Sequence, residues 1–258
     1  MVKLVGILNL TPDSFSDGGK FNNFEAAINH LNQLINDGAD IIDIGAESTR
    51  PNAIAISQKE EWTRLENILP EIVKIAKKRD VQTSIDSYHF ETIKLAHEIG
   101  VDIVNDVSGL IDERIINFIA QKQISTILMH NLAIHANPEL IVNQNLNINY
   151  EIINWAQNKI KLLEKMGVKK SQLIFDPGIG FAKDEKQSIS ILKNINSYHV
   201  LGLPIYVGHS KKRFLDIIDI IGNRATKTLE ISKYLIAKKV DFLRIHDVKQ
   251  HFNLRRPL

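Results

Sequence analysis

Side chains able to do chemistry recur in this sequence at one kind of place, directly after a short run of Val, Ile and Leu. Asn9 follows the first run, Glu47, Ser48, Thr49 and Arg50 the second, Asp86 and Ser87 the third, and Asn105 and Asp106 the fourth. His130 and Asn131, then Asp176, then His209 and Ser210, and finally Arg244, His246 and Asp247 follow the other four. A carboxylate set straight after apolar residues, as Asp86 and Asp176 are, is costly to bury alone and calls for a ligand rich in donors. A flat heterocycle with a guanidine-like edge presents two parallel donors to a carboxylate. Asn105 can donate and accept beside such an edge. Ser87 and Asp106 are equally well read as caps of the helices that follow.

The cations point to an anion. Arg50 and Arg244 can each fork onto a phosphate or stack flat on a ring, tasks for which Lys is less suited. Ser210, Lys211, Lys212 and Arg213 come immediately after a strand-like run, where the opening of a helix would turn backbone amides and a positive dipole toward an anion. Asn9 leads into a loop with Asp13, Ser14, Ser16 and Asp17 before Gly18 and Gly19, and oxygen donors on a hinged loop suit Mg²⁺ and phosphate. Pterin is the natural candidate for the heterocycle. Two other readings fail. Gly178-Ile179-Gly180 lacks the third glycine of a dinucleotide fingerprint, with Lys183 in its place, and its glycines let the backbone bend so that Phe181 can line a pocket. His130 and His135 are not spaced as a zinc pair, and no His-Glu-x-x-His occurs.

The elements that position these residues follow from periodicity. β-branched runs at 2–8, 39–44, 81–85, 101–104, 124–129, 173–175, 204–207 and 242–245 alternate with helical patterns at 24–36, 58–78, 90–98, 113–121, 150–166, 186–195 and 226–238. Gly38, Gly100 and Gly167 suit helix C′ positions. Strict alternation implies parallel strands, and eight of them close naturally into a (β/α)8 TIM barrel, here a single domain over 1–258. An open doubly wound sheet is the structural alternative, but it carries its ligand at one switch point, whereas here nearly every strand tip is polar. The chain has a formal net charge of +2, and the basic run 211–213 lacks interleaved aromatics, so no nucleic-acid partner is expected. No stretch approaches the roughly 18 apolar residues of a membrane span. Zero Cys excludes disulfides and thiolate metal sites and fits a cytoplasmic location.

Six blocks, in order, carry a family likeness: 6–19, 44–51, 84–87, 105–109, 176–181 and 243–248. Through them the chain resembles the bacterial dihydropteroate synthases, the folate-pathway enzymes targeted by sulfonamides. The resemblance implies a Mg²⁺-assisted transferase in which p-aminobenzoate displaces diphosphate from 6-hydroxymethyl-7,8-dihydropterin diphosphate to give 7,8-dihydropteroate. It implies that Asp86, Asn105, Asp176 and Lys212 hold the pterin, and that Arg244 stacks over it while reaching the phosphates. Asn9, Thr49, Arg50 and His246 would take the diphosphate and its metal. Diphosphate leaves first in this family, so Asp17 is expected to stabilise the cationic methylene and to share the metal with Asn9. Phe15, Pro51, Phe181 and Arg213 would form the p-aminobenzoate pocket under two closing loops. A homodimer is also implied.

The chain departs from the family at several points. Lys211 stands where Arg is usual, Arg213 where many members have Ser, and Ala182 where Gly is common. The fifth loop diverges, and both ends look short, which bears on barrel capping and on the dimer contact. Two alternatives therefore stand beside the synthase: a catalytically silent pterin-binding paralogue, and a methyltetrahydrofolate-dependent methyltransferase of the same superfamily.

Overall fold

The computed structural model describes residues 1–11, 20–48, 54–134 and 140–255, with 20–23 described by their backbone. Phe15, Asp17, Thr49, Arg50 and Pro51 lie outside the described residues. The strands are β1 (Lys3–Asn9), β2 (Ile41–Gly45), β3 (Gln82–Asp86), β4 (Ile103–Asp106), β5 (Ser125–Met129), β6 (Leu173–Asp176), β7 (Tyr206–Val207) and β8 (Phe242–Ile245). Every paired neighbour is parallel, in the order β6-β5-β4-β3-β2-β1-β8-β7. A parallel bridge between Phe175 and Ile205 joins the two ends of that order. The expected (β/α)8 barrel is therefore the fold.

Side chains alternate faces along a strand, so the register fixes which residues share the interior. Val5, Ile41, Ile103, Ile127, Ile174 and Tyr206 form one apolar cluster with Phe242 packed on it, separate from the larger core between sheet and helices. That smaller cluster fills the lower barrel. Two residues further along the same faces stand Asp43, Asn105, Met129, Asp176, Gly208 and Arg244, with Asp86 paired to Asn105. The interior thus changes from apolar to polar toward the C-terminal ends of the strands, where barrels carry their sites.

The helices are α1 (Lys20–Asn36), α2 (Gln58–Leu65), α3 (Leu69–Lys78), α4 (Phe90–Ile99), α5 (Glu113–Lys122), α6 (Ile148–Lys165), α7 (Glu185–Lys193), α8 (Arg224–Ala237) and the short α9 (Val248–Phe252). The helix expected over 58–78 is two helices. Pro70 lies in the first turn of α3 and has no N–H to continue the ladder from α2. β7 is shorter than expected for the same reason, since Pro204 donates nothing and uses only its carbonyl, which accepts from the Phe175 N–H at 2.9 Å. No helix among the described residues is long and apolar enough to cross a membrane.

Six returns from helix to strand share one geometry. Gly38, Asp80, Gly100, Gln123, Gly167 and Lys239 all have positive φ. The next N–H in each case, from Ala39, Val81, Val101, Ile124, Val168 and Val240, turns back to a helix carbonyl five residues earlier. This is the Schellman closure, and three of the six positions are the glycines legible in the sequence. Three of these turns add a carboxylate clamp. Asp40, Asp102 and Asp241 accept the backbone N–H of Leu4, Thr83 and Ile205 at 2.6, 2.8 and 2.7 Å, fastening each turn to a neighbouring strand. Asp102 also accepts from the Thr83 hydroxyl at 3.1 Å. Replacing Asp102 with Ala strands both Thr83 donors, and is expected to cost about 1–3 kcal/mol of unfolding free energy in a denaturant titration, with m unchanged.

Candidate active site

The site begins with a cation between two carboxylates. Arg244, near the end of β8, donates from Nε to Asp43 Oδ2 at 2.6 Å and from Nη2 to Asp86 Oδ2 at 2.7 Å. Asn105, from β4, donates its Nδ2 to the same Asp43 carboxylate at 3.2–3.3 Å. Four strands thus meet through four side chains across the barrel interior. Burial pushes Asp86 up to about 7 against the pull of Arg244, with the negative charge of Asp43 adding to the rise. Burial works against the charge of Arg244 as well, but Asp43 and Asp86 outweigh it and hold its pKa above the ordinary value.

Opposite them Asp176 ends β6. Its Oδ1 accepts the Gly178 N–H at 2.7 Å, and burial raises its pKa against the opposing pull of Lys212. Lys212 Nζ donates to the Ile179 carbonyl and lies 4.4 Å from the centre of the Phe181 ring. Burial brings its pKa down to about 8 while Asp176 and Asp86 oppose the fall. Phe181 is therefore held against the cation, as a wall of the interior.

The turn that carries Phe181 is fixed from below. Lys183 is 7 % exposed, and its Nζ reaches the carbonyls of Phe181 and His130 at 2.7 and 3.1 Å and His130 Nδ1 at 3.0 Å. Burial and Lys183 drive His130 down to about 2, so the ring is neutral and Nδ1 accepts. Lys183 itself falls to about 7, burial being the main cause. Gly178 has φ +67°, and a Cβ there would stand 2.0 Å from the His130 carbonyl oxygen, so only glycine lets the turn approach β5 this closely.

Around the rim, Ser210 Oγ lies 2.9 Å from His246 Nδ1 and ties the β7 and β8 tips together. Asn9 ends β1 with its Oδ1 3.8 Å from where a Cβ on Gly45 would sit, and Asp86 borders the same gap. Glu47 accepts from Ile56 N–H at 3.1 Å and Tyr88 Oη at 3.0 Å, and its second oxygen is 3.5 Å from His89 Nε2. Both ends of the segment carrying Thr49, Arg50 and Pro51 are thereby anchored. Arg213 points along the outer rim and pairs with Glu185 at 2.8 Å. The basic run does not open an α-helix: 213–217 is a 3₁₀ turn entered through Lys211 at φ +58°, and α8 begins only at Arg224. Ser87 and Asp106 do not cap helices either. Ser87 Oγ donates to the buried Glu61 at 2.9 Å, and Asp106 accepts the Ser108 N–H at 2.7 Å in a local turn. A groove of about 370 Å³ bordered by His30, Asp37, Lys211 and His246 adjoins this rim from outside, without Asp86 or Asp176.

The structure therefore brings together Asp86, Asn105, Asp176, Lys212, Phe181 and Arg244 inside the mouth, with Asn9 and His246 at its edge. Sequence reasoning missed Asp43 and Lys183. A lone charge within Ile41-Ile42-Asp43-Ile44 is a usable signal for the first. Two of the three acceptors of Lys183 belong to His130, 53 residues away in the chain, and leave no local signature. Chemically, three carboxylates and an amide share the mouth with Lys212 and Arg244. That arrangement suits a flat ligand with a donor edge at one end and an anion at the other.

Comparison with known proteins places this geometry. Residues 5–246 match the family model of pterin binding enzymes. The dihydropteroate synthase of Streptococcus pyogenes is 37 % identical over 252 residues, covering 95 % of this chain and 90 % of that one. The crystal structure of dihydropteroate synthase from Anaplasma phagocytophilum with bound 6-hydroxymethylpterin-monophosphate superposes with a TM-score of 0.89 at 38 % identity, covering 98 % of this chain and 96 % of the other. The Xanthomonas albilineans dihydropteroate synthase with 4-aminobenzoic acid gives 0.87 at 29 %, covering 98 % and 90 %.

The depressed pKa of Lys183 has a testable sign. Between about 7 and its ordinary value near 10.5 the unfolded chain binds the proton and the folded chain does not, so stability rises with pH across that window. The stability of the wild type relative to Lys183→Met is expected to rise between pH 7 and 9.5, by at most about 1.4 kcal/mol per pH unit, in denaturant titrations at both values.

Proposed function

The chain belongs to the pterin-binding enzymes and has the dihydropteroate synthase activity of the relatives it matches, and from that premise we propose how its own residues carry the reaction. It is a transferase of folate biosynthesis that condenses 6-hydroxymethyl-7,8-dihydropterin diphosphate with p-aminobenzoate to give 7,8-dihydropteroate and diphosphate. The observation that carries the assignment of roles is the mixed-charge set of Asp86, Asn105, Asp176, Lys212 and Arg244 at the mouth of the barrel. Asp86 and Asp176 accept the donor edge of the pterin, Asn105 completes its recognition, and Lys212 donates to it from the other side. Arg244 covers the ring and extends to the phosphates, where His246 and Asn9 wait at the tips of β8 and β1.

Diphosphate departure leaves a cationic methylene, which must be kept from water until the arylamine arrives. Phe181, pressed on Lys212, closes one wall of that space. Phe15, Pro51 and Arg213 complete the p-aminobenzoate pocket in this reading, and Asp17 faces the cation. Arg213 would give up Glu185 to hold the carboxylate of the arylamine. Thr49 and Arg50 hold the leaving group, their loop anchored through Glu47.

The donor set at β1 fits Mg²⁺, which takes few protein oxygens and keeps phosphate and water as its other ligands. Asn9 offers one amide oxygen at the mouth, and among the described residues no group of three or more His, Asp or Glu is placed to hold a metal ion. Asn9, with Asp17 and the diphosphate oxygens, would hold the ion, and the ion would neutralise charge building on the leaving group. The reading extends to a homodimer acting in the cytoplasm.

With both substrates and Mg²⁺ the protein is expected to release diphosphate and form 7,8-dihydropteroate, and chelation should stop turnover. Asp86→Asn is expected to lower kcat/KM for the pterin substrate about 100-fold, the equivalent of about 3 kcal/mol for charged hydrogen bonds lost in a buried site. Binding of the pterin without any condensation would favour the silent paralogue, and methyl transfer from methyltetrahydrofolate without condensation would favour the methyltransferase.

A further inference from the structure

Asp43 has no part in the roles assigned above, yet it is the most enclosed charge of the site. It is 0 % exposed, it sits one layer below the strand tips, and its carboxylate receives two of the proposed pterin-binding residues at once. Arg244 comes from β8 through Nε at 2.6 Å, and Asn105 comes from β4 through Nδ2 at 3.2–3.3 Å. The other face of the same guanidinium is engaged differently. Its Nη2 rests on Asp86 Oδ2 at 2.7 Å, an oxygen that the donor edge of a pterin would need. Substrate and Arg244 would then draw on the same acceptor oxygen.

We propose that Asp43 is a positioning residue that fixes the Nε edge of Arg244 and the Asn105 amide, so that Arg244 can pass its Nη contact from Asp86 to the substrate without losing its place. This rests on the pterin reading of the site. A guanidinium presents separate donors along its rim, so one edge can stay bound while another changes partner. Asp43 keeps the Nε bond in both states, and the exchange costs Arg244 a single contact. Without the Asp43 charge, Asp86 is the one carboxylate left in contact with Arg244, and their pair tightens at the expense of the pterin. Asp43 touches no substrate in this scheme and acts through Arg244 and Asn105.

The test is a double-mutant cycle read by binding of 6-hydroxymethylpterin monophosphate, with steady-state kinetics alongside. Asp43→Asn keeps the shape and is expected to raise Kd for that compound, and KM for the pterin substrate, about tenfold, as for one lost charged contact. KM for p-aminobenzoate should stay within about twofold, since Phe181 and its supports are untouched. In an Arg244→Gln background the same Asp43→Asn change is expected to move Kd by about threefold or less, because only the Asn105 amide is left for it to act through. Equal tenfold losses in both backgrounds, or none in the first, would overturn the proposal.

Where a variant does not fold, the wild-type protein supplies the test through side-chain ¹⁵N NMR of Arg244. Its Nε–H signal should stay hydrogen-bonded on adding the compound while the Nη signals shift. Loss of the Nε bond would overturn the proposal and leave the assigned reaction standing. Failure of the wild type to bind the compound would bring down both together.

Discussion

The contact on which the mouth of this barrel depends is the guanidinium of Arg244 between the carboxylates of Asp43 and Asp86. Burying three charges so close is tolerable only as a set. Removing one partner from a buried pair typically costs about 3–5 kcal/mol, whereas replacing the whole group with apolar residues of similar volume is often neutral or better. Stability alone therefore gives little reason for a barrel to keep such a set in its upper interior, where the layer beneath is apolar but for the hydroxyls of Ser84 and Tyr206. What the set provides is a fixed array of donors and acceptors that water does not flatten. The strands supply the precision, because each member sits on a β-strand whose register with its neighbour is fixed over several pairs.

Burial acts on Asp86, Asp176, Arg244, Lys212 and Lys183 in the same sense, toward neutrality. Asp86 rises to about 7, while Lys212 and Lys183 fall to about 8 and about 7. Opposite charges across the mouth pull each group back, so the charged state survives through mutual support. A ligand that brings a donor edge to the acids and an anion to the cations relieves both strains together. Shape and charge then select the same molecule, one flat and polar at one end and anionic at the other.

Much of this was legible in the chain. Alternating β-branched and amphipathic segments announce a parallel closed sheet, and polar residues at run ends mark the mouth, because a residue after an apolar strand has nowhere else to point. Composition hid what lies inside elements. Asp43 sits within a strand whose other residues read as core, and only its inward parity, visible once the register is known, joins it to Arg244. Pro70 marked the break between α2 and α3, but the apolar spacing runs smoothly across it. Lys211 has φ +58°, which no α-helix continues through, so the basic run leads into a 3₁₀ turn at 213–217. Phe15, Asp17, Thr49, Arg50 and Pro51 lie outside the described residues, and their roles come from family likeness.

The six identical returns from helix to strand have a consequence for how this molecule can change. At that end six of the eight strands follow a closed turn, and three of those turns are pinned to the neighbouring strand or the residue just before it by Asp40, Asp102 and Asp241. Register is thus decided at the floor, before the chain reaches the mouth. The mouth connections inherit their anchor points and need not maintain them, so they are free to vary in length and content. A lineage can retune what enters the barrel, including its response to inhibitors that mimic a substrate, while the staves of the vessel keep their alignment.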